Sequence, residues 1–257
     1  MNAIYSYKPV VDINGNYSHY KPLDPNFFKL AKKSVESVSK FYKTTFYTDN
    51  QTHELFKKNH VFFDEVVILD ALENKKLMNY ALPKIYAMLE QEQPFIMFDF
   101  DTIISEELTC DYDITYAYYE VDLTENFNPS NIKWIMEAYL TPFQNKISGY
   151  YDLNFVNSMD WRRYPNFSVL MVKDVFYIKQ FYLDLFERVP LNVIETTSAT
   201  LIEQFIFHQF VMLNGLTYGT FLKSYTDVKK IKKEKIYHLN INEVEIDSVI
   251  NIIEGFI

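Results

Sequence analysis

Glycine is scarce in this chain: five of 257 residues, about 2% against a usual share of about 7%. That shortage argues against Gly-rich phosphate loops as the main device and excludes collagen-like or low-complexity architecture. A single cysteine, Cys110, excludes a disulfide framework and any zinc site built from several cysteines. No apolar run approaches the roughly 18 residues of a membrane-spanning helix. The opening MNAIYSYKPV has no basic stretch followed by an apolar one, so neither a transmembrane segment nor a signal peptide is expected, and a cytoplasmic location is. Positive charge is also short. The 25 Lys and Arg face 34 Asp and Glu, a net charge of −9, which disfavours nucleic acid as the partner. What is plentiful is apolar surface. Hydrophobic residues make up 48% of the chain, with 21 Tyr and 22 Phe, enough to exclude wholesale disorder. Most rings are expected to fill a core poor in small residues; a Tyr lining a sugar or base site is the functional alternative.

The order of elements is readable along the first hundred residues. Ala3 to Tyr7 reads as a strand. Asp24-Pro25 opens a helix, Asp as cap and Pro in the first turn, and Phe27, Leu30, Ala31, Val35, Val38 and Tyr42 follow at helical spacing. Thr44 to Thr48 is a strand closed by the turn signal Asp49-Asn50, and a short helix follows through His53 to Lys58. Glu65 to Leu69 reads as a second central strand, closed by Asp70. The stripe Met78, Ala81, Leu82, Ile85, Met88, Leu89 is helical, and Pro83 either starts that helix or kinks it. Pro94 to Ile104, PFIMFDFDTII, is an apolar strand until two aspartates appear. Strand and helix alternating at this spacing predict an α/β fold, a mostly parallel central sheet flanked by helices. Ligands of such sheets bind at the carboxyl ends of the strands, where Asp49, Asp70, Asp99 and Asp101 fall.

The second half reads as less regular. A helix is expected through Ile132, Ile135, Met136 and Tyr139, and a polar loop over 142–165 that carries Asp160, Trp161, Arg162 and Arg163. A strand follows at Phe167–Val172, then helices over 174–188 and 198–213. A basic run, KKIKKEK at 229–235, precedes a short strand at Ile236–Leu239, and a closing helix ends the chain. Without a repeat or a Pro/Gly/Ser linker, residues 1–257 read as a single domain. Its parts are an α/β half over about 1–104, a less regular half over about 105–240 and a C-terminal closing helix over about 241–257.

Asp99 and Asp101 are the strongest chemical signal. Alternation places both on one side of the strand, with Phe98 and Phe100 opposite. Two converging carboxylates repel, and burying them unpaired is costly. A divalent cation removes both problems, and hard oxygen ligands suit Mg²⁺ or Mn²⁺. The plain alternative is a pair of solvated aspartates at a strand end, against which stands the apolar run that leads into them. Lys84, on the helical stripe before that strand, is either a solvated lysine or a contact to phosphate or base. A lone His238 is ordinarily structural, although an imidazole would favour Mn²⁺ over Mg²⁺.

The segment FIMFDFDTII resembles the metal-binding Asp-x-Asp strand of GT-A glycosyltransferases, and it is most similar to the glycogenin-like and lipopolysaccharide galactosyltransferase family. Shorter matches follow in order. Tyr80 and Lys84 in NYALPKIYAML resemble the segment that brings a basic side chain to the donor nucleotide. Asn166 and Ser168 in PNFSVLMVKD resemble an Asn-x-Gly-Val strand beside the donor sugar, with Ser168 in place of Gly. Glu203 and Gln204 in LIEQFIF resemble an Asp-Gln pair near the reacting carbon, with Glu203 in place of Asp. His238 in KIYHLN resembles the histidine that completes the metal site, although no Gly follows it.

The resemblance implies a GT-A-like fold and a metal-dependent, hexosyltransferase-type glycosyltransferase. Its donor would be a nucleotide-diphosphate sugar and its acceptor an unknown glycan, protein or lipid. Asp99, Asp101 and His238 would hold Mn²⁺ or Mg²⁺. Tyr80, Lys84, Asn166 and Ser168 would bind the donor, with Tyr5, Ser6, Thr48 and Asp49 near base and ribose. Glu203 and Gln204 would face the anomeric carbon. The alternatives are a catalytically inactive GT-A-like protein that binds nucleotide or glycan, a haloacid-dehalogenase-like phosphatase, and a sugar-activating nucleotidyltransferase, against which stands the lack of a Gly-rich basic loop at the start. The phosphatase motif wants Thr or Val where Ile103 stands.

Overall fold

The computed structural model describes residues 1–11, 17–18, 24–77, 79–119, 146, 165–189, 199–222, 234–239 and 246–255. The expected helix at 132–139, the loop with Asp160, Trp161, Arg162 and Arg163, and Lys229, Lys230, Lys232 and Lys233 of the basic run lie outside them.

Strand β1 (Asn2–Ser6) leads through a small hairpin, β2 (Val10–Val11) and β3 (Tyr17–Ser18), to helix α1 (Pro25–Val38). Asp24 caps α1 by accepting the Asn26 amide at 2.9 Å, as the sequence predicts. Strand β4 (Thr44–Thr48) and helix α2 (Asn50–Lys58) follow. Asp49 is thus both the end of a strand and the cap of a helix, and it accepts the Thr52 amide at 2.9 Å. Strand β5 (Glu65–Ile68) precedes helix α3 (Ala81–Leu89). Pro83 lies in the first turn of α3, so it starts the helix rather than kinking it. Strands β6 (Phe95–Phe98), β7 (Thr102–Ile104), β8 (Ile114–Tyr119) and β9 (Pro165–Val172) come next, then helix α4 (Val175–Arg188). A π-helical segment, Leu201–Ile206, runs into helix α5 (Phe207–Leu213). Strands β10 (Tyr218–Thr220) and β11 (Ile236–His238) and helix α6 (Ile246–Glu254) complete the described chain.

Seven strands form one sheet in the order β10-β8-β9-β6-β1-β4-β5. Neighbours are parallel except at β9, which runs antiparallel to both β6 and β8. The central sheet is therefore mostly parallel and flanked by helices, as predicted. One expectation needs correction. Glu65–Ile68 is not central: it is the sheet edge and only partly buried. The described strands of the second half, β8, β9 and β10, extend the same sheet, which the strand–helix pattern of the first half did not show. Ile114–Tyr119 had the β-branched and aromatic composition of a strand, whereas three-residue β10 is too short to show a pattern.

Alternation divides the sheet into two apolar faces. Ile4, Phe95, Met97 and Val172 pack on one side with Leu82, Ile85 and Met88 of α3 and Phe181 of α4. Ala3, Tyr5, Ile96, Phe98 and Met171 pack on the other with Phe27 of α1 and Phe56 of α2. Across β8 and β9 the alternation slips. Tyr116 pairs with Leu170 but Tyr118 pairs with Asn166, so two steps on β8 oppose four on β9. The slack is a bulge at Phe167–Val169, a device that re-aims side chains and is frequent beside active sites.

Candidate functional site

Chain order reverses across the sheet between β1 and β6. From β1 the chain moves outward through β4 to β5, then crosses back to β6 on the other side. The crevice outside the carboxyl ends of those two strands is where open α/β sheets bind ligands. The residues that emerge there are Ser6, Tyr7 and Lys8 from β1, and Asp99, Phe100 and Asp101 from β6.

Strand β6 stops at Phe98, three residues short of Asp101 and so before alternation can run through both aspartates. Asp99–Thr102 is a turn in which the Thr102 amide donates to the Asp99 carbonyl at 3.2 Å. The sides are nonetheless as predicted. Phe98 and Phe100 both enter the aromatic core, and Asp99 and Asp101 both leave it. The turn then separates their partners. Asp99 Oδ1 lies 2.6 Å from Lys84 Nζ. Asp101 Oδ1 lies 3.4 Å from His238 Nε2. His238 is brought there by β11, which pairs antiparallel with β7 and sets His238 opposite Thr102; the Leu239 amide donates to the Asp101 carbonyl at 2.8 Å.

Lys84 comes from the first turns of α3 and is buried. Its Nζ is also 4.0 Å from Glu203 Oε1 and 5.8 Å from the Tyr80 ring centroid, within cation–π range. Burial alone would lower the pKa of this ammonium, but Asp99 and Glu203 outweigh it and hold it above the ordinary lysine value. Asp99 is pushed above the ordinary carboxylate range by burial and, despite Lys84, by Asp101. Tyr80 donates to or accepts from Thr200 Oγ1 at 2.6 Å, and burial pushes its phenol up to about 12.

Glu203 is fully buried on the π-helical segment, which packs against β9. The Tyr182 hydroxyl donates to its carbonyl at 3.2 Å. Neither carboxyl oxygen of Glu203 has a hydrogen bond, and burial raises its pKa to about 7, with Lys84 opposing and Asp99 adding to the rise. Gln204 Oε1 and Ser168 Oγ are likewise buried without a hydrogen-bond partner. Buried polar atoms are ordinarily satisfied, and these three groups lie on two elements that pack together, the π-helical segment and β9. Ser168 belongs to the bulge: its amide donates to Asn166 Oδ1 at 2.8 Å, and its carbonyl accepts the Asp99 amide at 2.8 Å. Asn166 and Ser168 thereby fix the Asp99 backbone.

The residues expected near base and ribose, Tyr5, Ser6, Thr48 and Asp49, all have partners within the fold. Tyr5 is fully buried, its ring against Phe63, Phe98 and Phe100 and its hydroxyl 3.1 Å from Ser34 Oγ. It is a core ring, pointed away from the strand ends by alternation. Ser6 Oγ donates to the Tyr47 carbonyl and Thr48 Oγ1 to the Tyr7 carbonyl; both tie β1 to β4. Asp49 caps α2 and pairs with Lys8. The sequence reading missed Lys8, which is buried and also donates to the Leu72 carbonyl at 2.7 Å; a lysine directly after an apolar strand was the available signal. It also missed Tyr118, whose hydroxyl is 2.7 Å from His238 Nδ1. As one tyrosine among 21, it carried no signal.

By type and place, Asp99, Asp101 and His238 fit a divalent cation: two carboxylates and an imidazole on one turn and the strand paired to it. Tyr118 adds the outer partner that metal-binding imidazoles usually have. The set is not closed on an ion, since Asp99 is turned to Lys84. Among the described residues no three His, Cys, Asp or Glu side chains converge closely enough to hold one. Among the described residues, too, no helix is long and apolar enough to cross a membrane.

No family model and no curated protein matches the chain. Among solved structures it is similar to the inositol-1-phosphate CTP transferase from T. maritima, at 10% identity over 98% of this chain and 95% of that one, with a TM-score of 0.49. It is similar to mouse xyloside xylosyltransferase 1 in its apo form, at 12% identity over 95% and 98%, TM-score 0.45. It is also similar to the nucleoside-diphosphate-sugar pyrophosphorylase from Vibrio cholerae, at 10% identity over 86% and 92%, TM-score 0.42.

Proposed function

We propose that this chain is a glycosyltransferase that moves a sugar from a nucleotide-diphosphate donor to a glycan, protein or lipid acceptor. The observation that carries the reading is the cluster Lys84–Asp99–Glu203, with Asp101 and His238 beside it, at the carboxyl ends of the strands where the sheet order reverses. A buried ammonium at that place suits a diphosphate, and the adjacent buried carboxyl suits a sugar whose anomeric carbon gains positive charge as the bond to phosphate breaks.

In this reading Asp99, Asp101 and His238 hold Mn²⁺ or Mg²⁺, which when bound supplies Lewis-acid stabilisation of the leaving diphosphate. Lys84 contributes a fixed positive charge to the same oxygens. Ser168 and Asn166 set the backbone against which the donor sugar lies. Glu203 and Gln204 approach the reacting carbon from the π-helical segment, where burial keeps competing water from Glu203. Tyr118 orients the His238 ring through Nδ1 and so leaves Nε2 toward Asp101.

The test is release of nucleoside diphosphate from a panel of nucleotide sugars with Mn²⁺, Mg²⁺ or EDTA, for the wild type and Asp101→Asn. Metal-dependent release that falls at least 100-fold in the variant, with circular dichroism unchanged, supports the assignment. Metal-dependent binding of nucleoside diphosphate without release indicates an inactive nucleotide-binding relative. Absence of both release and binding overturns the reading.

A further inference from the structure

The pairing of Lys84 with Asp99 has a consequence for how the site fills. Lys84 Nζ occupies Asp99 Oδ1 at 2.6 Å, and its second anionic neighbour, Glu203, is 4.0 Å away with no hydrogen bond on either carboxyl oxygen. The ammonium therefore stands on one of the carboxylates that a divalent cation would need. Asp101 Oδ1 lies 3.4 Å from His238 Nε2. A divalent cation approaching alone meets a carboxylate already neutralised by a buried positive charge. A cation that takes Asp99 through Oδ1 displaces Lys84, whose other anionic neighbour is Glu203 at 4.0 Å. A diphosphate changes this balance, because it offers Lys84 new anionic oxygens in the crevice.

We propose that Lys84 is an exchange residue that makes divalent-metal binding conditional on a diphosphate: it neutralises Asp99 in the free protein and passes to the diphosphate when metal and nucleotide enter together. This rests on the nucleotide-sugar reading above and adds the order of filling. The coupling is reciprocal, so metal and diphosphate each tighten the other by the same factor. The practical effect is that free metal does not commit the site; only a metal–diphosphate complex does.

The experiment is calorimetric titration of the full chain with MnCl₂ alone, and with MnCl₂ in the presence of saturating UDP, GDP, CDP or ADP in turn. Manganese electron paramagnetic resonance serves as an independent count of bound ion. Wild type is compared with Lys84→Met, which keeps the length of the side chain without its charge, and with Lys84→Gln, which keeps a donor toward Asp99 should the Met variant fail to fold.

Exchange predicts opposite signs. Without nucleotide, Mn²⁺ binds the neutral variants at least tenfold more tightly than the wild type. With the nucleoside diphosphate that the wild type prefers, the metal-dependent nucleotide affinity of the variants falls at least tenfold. A lysine that merely supports the fold would weaken both. Unchanged or weaker binding of Mn²⁺ alone by folded variants, with metal-dependent nucleotide binding intact in the wild type, overturns the exchange but leaves the nucleotide reading standing. If the wild type binds none of the four diphosphates with metal, the nucleotide reading itself falls and the exchange with it.

Discussion

Glu203 is a carboxyl group in a place that disfavours its charge. Burial holds it at about 7 against an ordinary 4.5, so the folded protein binds its proton more tightly than the unfolded chain does. The sign follows from linkage. The stabilising contribution is complete below about 4.5, declines as pH rises and is gone above about 7, a span of about 3 kcal/mol at about 1.4 kcal/mol per unit. Asp49, Asp64 and Asp113 have lowered values, so their contributions are lost only below the ordinary carboxylate range. Asp99 is raised and acts in the same direction as Glu203, which is why the comparison must be between variants. Glu203→Gln should gain roughly 3 kcal/mol on the wild type between pH 5 and pH 8 in urea unfolding. A difference between the two proteins that does not change with pH would show that Glu203 does not titrate there. At this scale the sequence was partly legible. An apolar strand ending in two acids drew attention to Asp99 and Asp101, whereas Lys84, Glu203 and His238 were singled out together only through the resemblance to glycosyltransferase segments. Which acid Lys84 meets was not legible, because the packing of α3 on the sheet sets that contact and no local pattern encodes it.

Helix caps show how far the elements themselves could be read. Asp24-Pro25 was unambiguous because Pro in a first turn allows one interpretation. Asp49-Asn50 looked like a turn, since turns and helix caps favour the same residues for the same reason: a short side-chain oxygen that bonds a nearby amide. The structure resolves it as the cap of α2. Because Asp49 also holds buried Lys8, its two tasks can be separated. Asparagine caps about as well as aspartate but leaves the Lys8 ammonium buried without its anion. Asp49→Asn should therefore cost about 3 kcal/mol, and Asp49→Ala about 1 kcal/mol more for the lost cap. Adding Lys8→Met to Asp49→Asn should recover most of the loss, since removing both charges removes the penalty. Urea unfolding of the three variants checks this. A double variant no more stable than Asp49→Asn would mean that the ion pair is not the source of the cost.

Across the whole molecule, the position of the site follows from which strands are central. The parallel run β5-β4-β1-β6 was predictable from strand–helix alternation. The reversal at β9 was not, because an antiparallel strand buried on both faces has the same continuous apolar composition as a parallel one. That reversal matters to the site. It brings the β9 bulge against the end of β6, where the Ser168 carbonyl fixes the Asp99 amide. The surrounding support is unequal. Every residue of β6 and β9 is buried, whereas β5 and β10 at the two edges are partly exposed. Local opening should follow that gradient. Amides of β6, β9 and β1 should exchange with deuterium only through global unfolding. Those of β5 and β10 should open at about 2 kcal/mol less, on the order of 30-fold faster. Native-state hydrogen exchange measures this directly. If β6 exchanged as fast as β5, Asp99 and Asp101 would sit on a locally opening strand, and the rigid placement of the carboxylates on which the proposed chemistry depends would be lost.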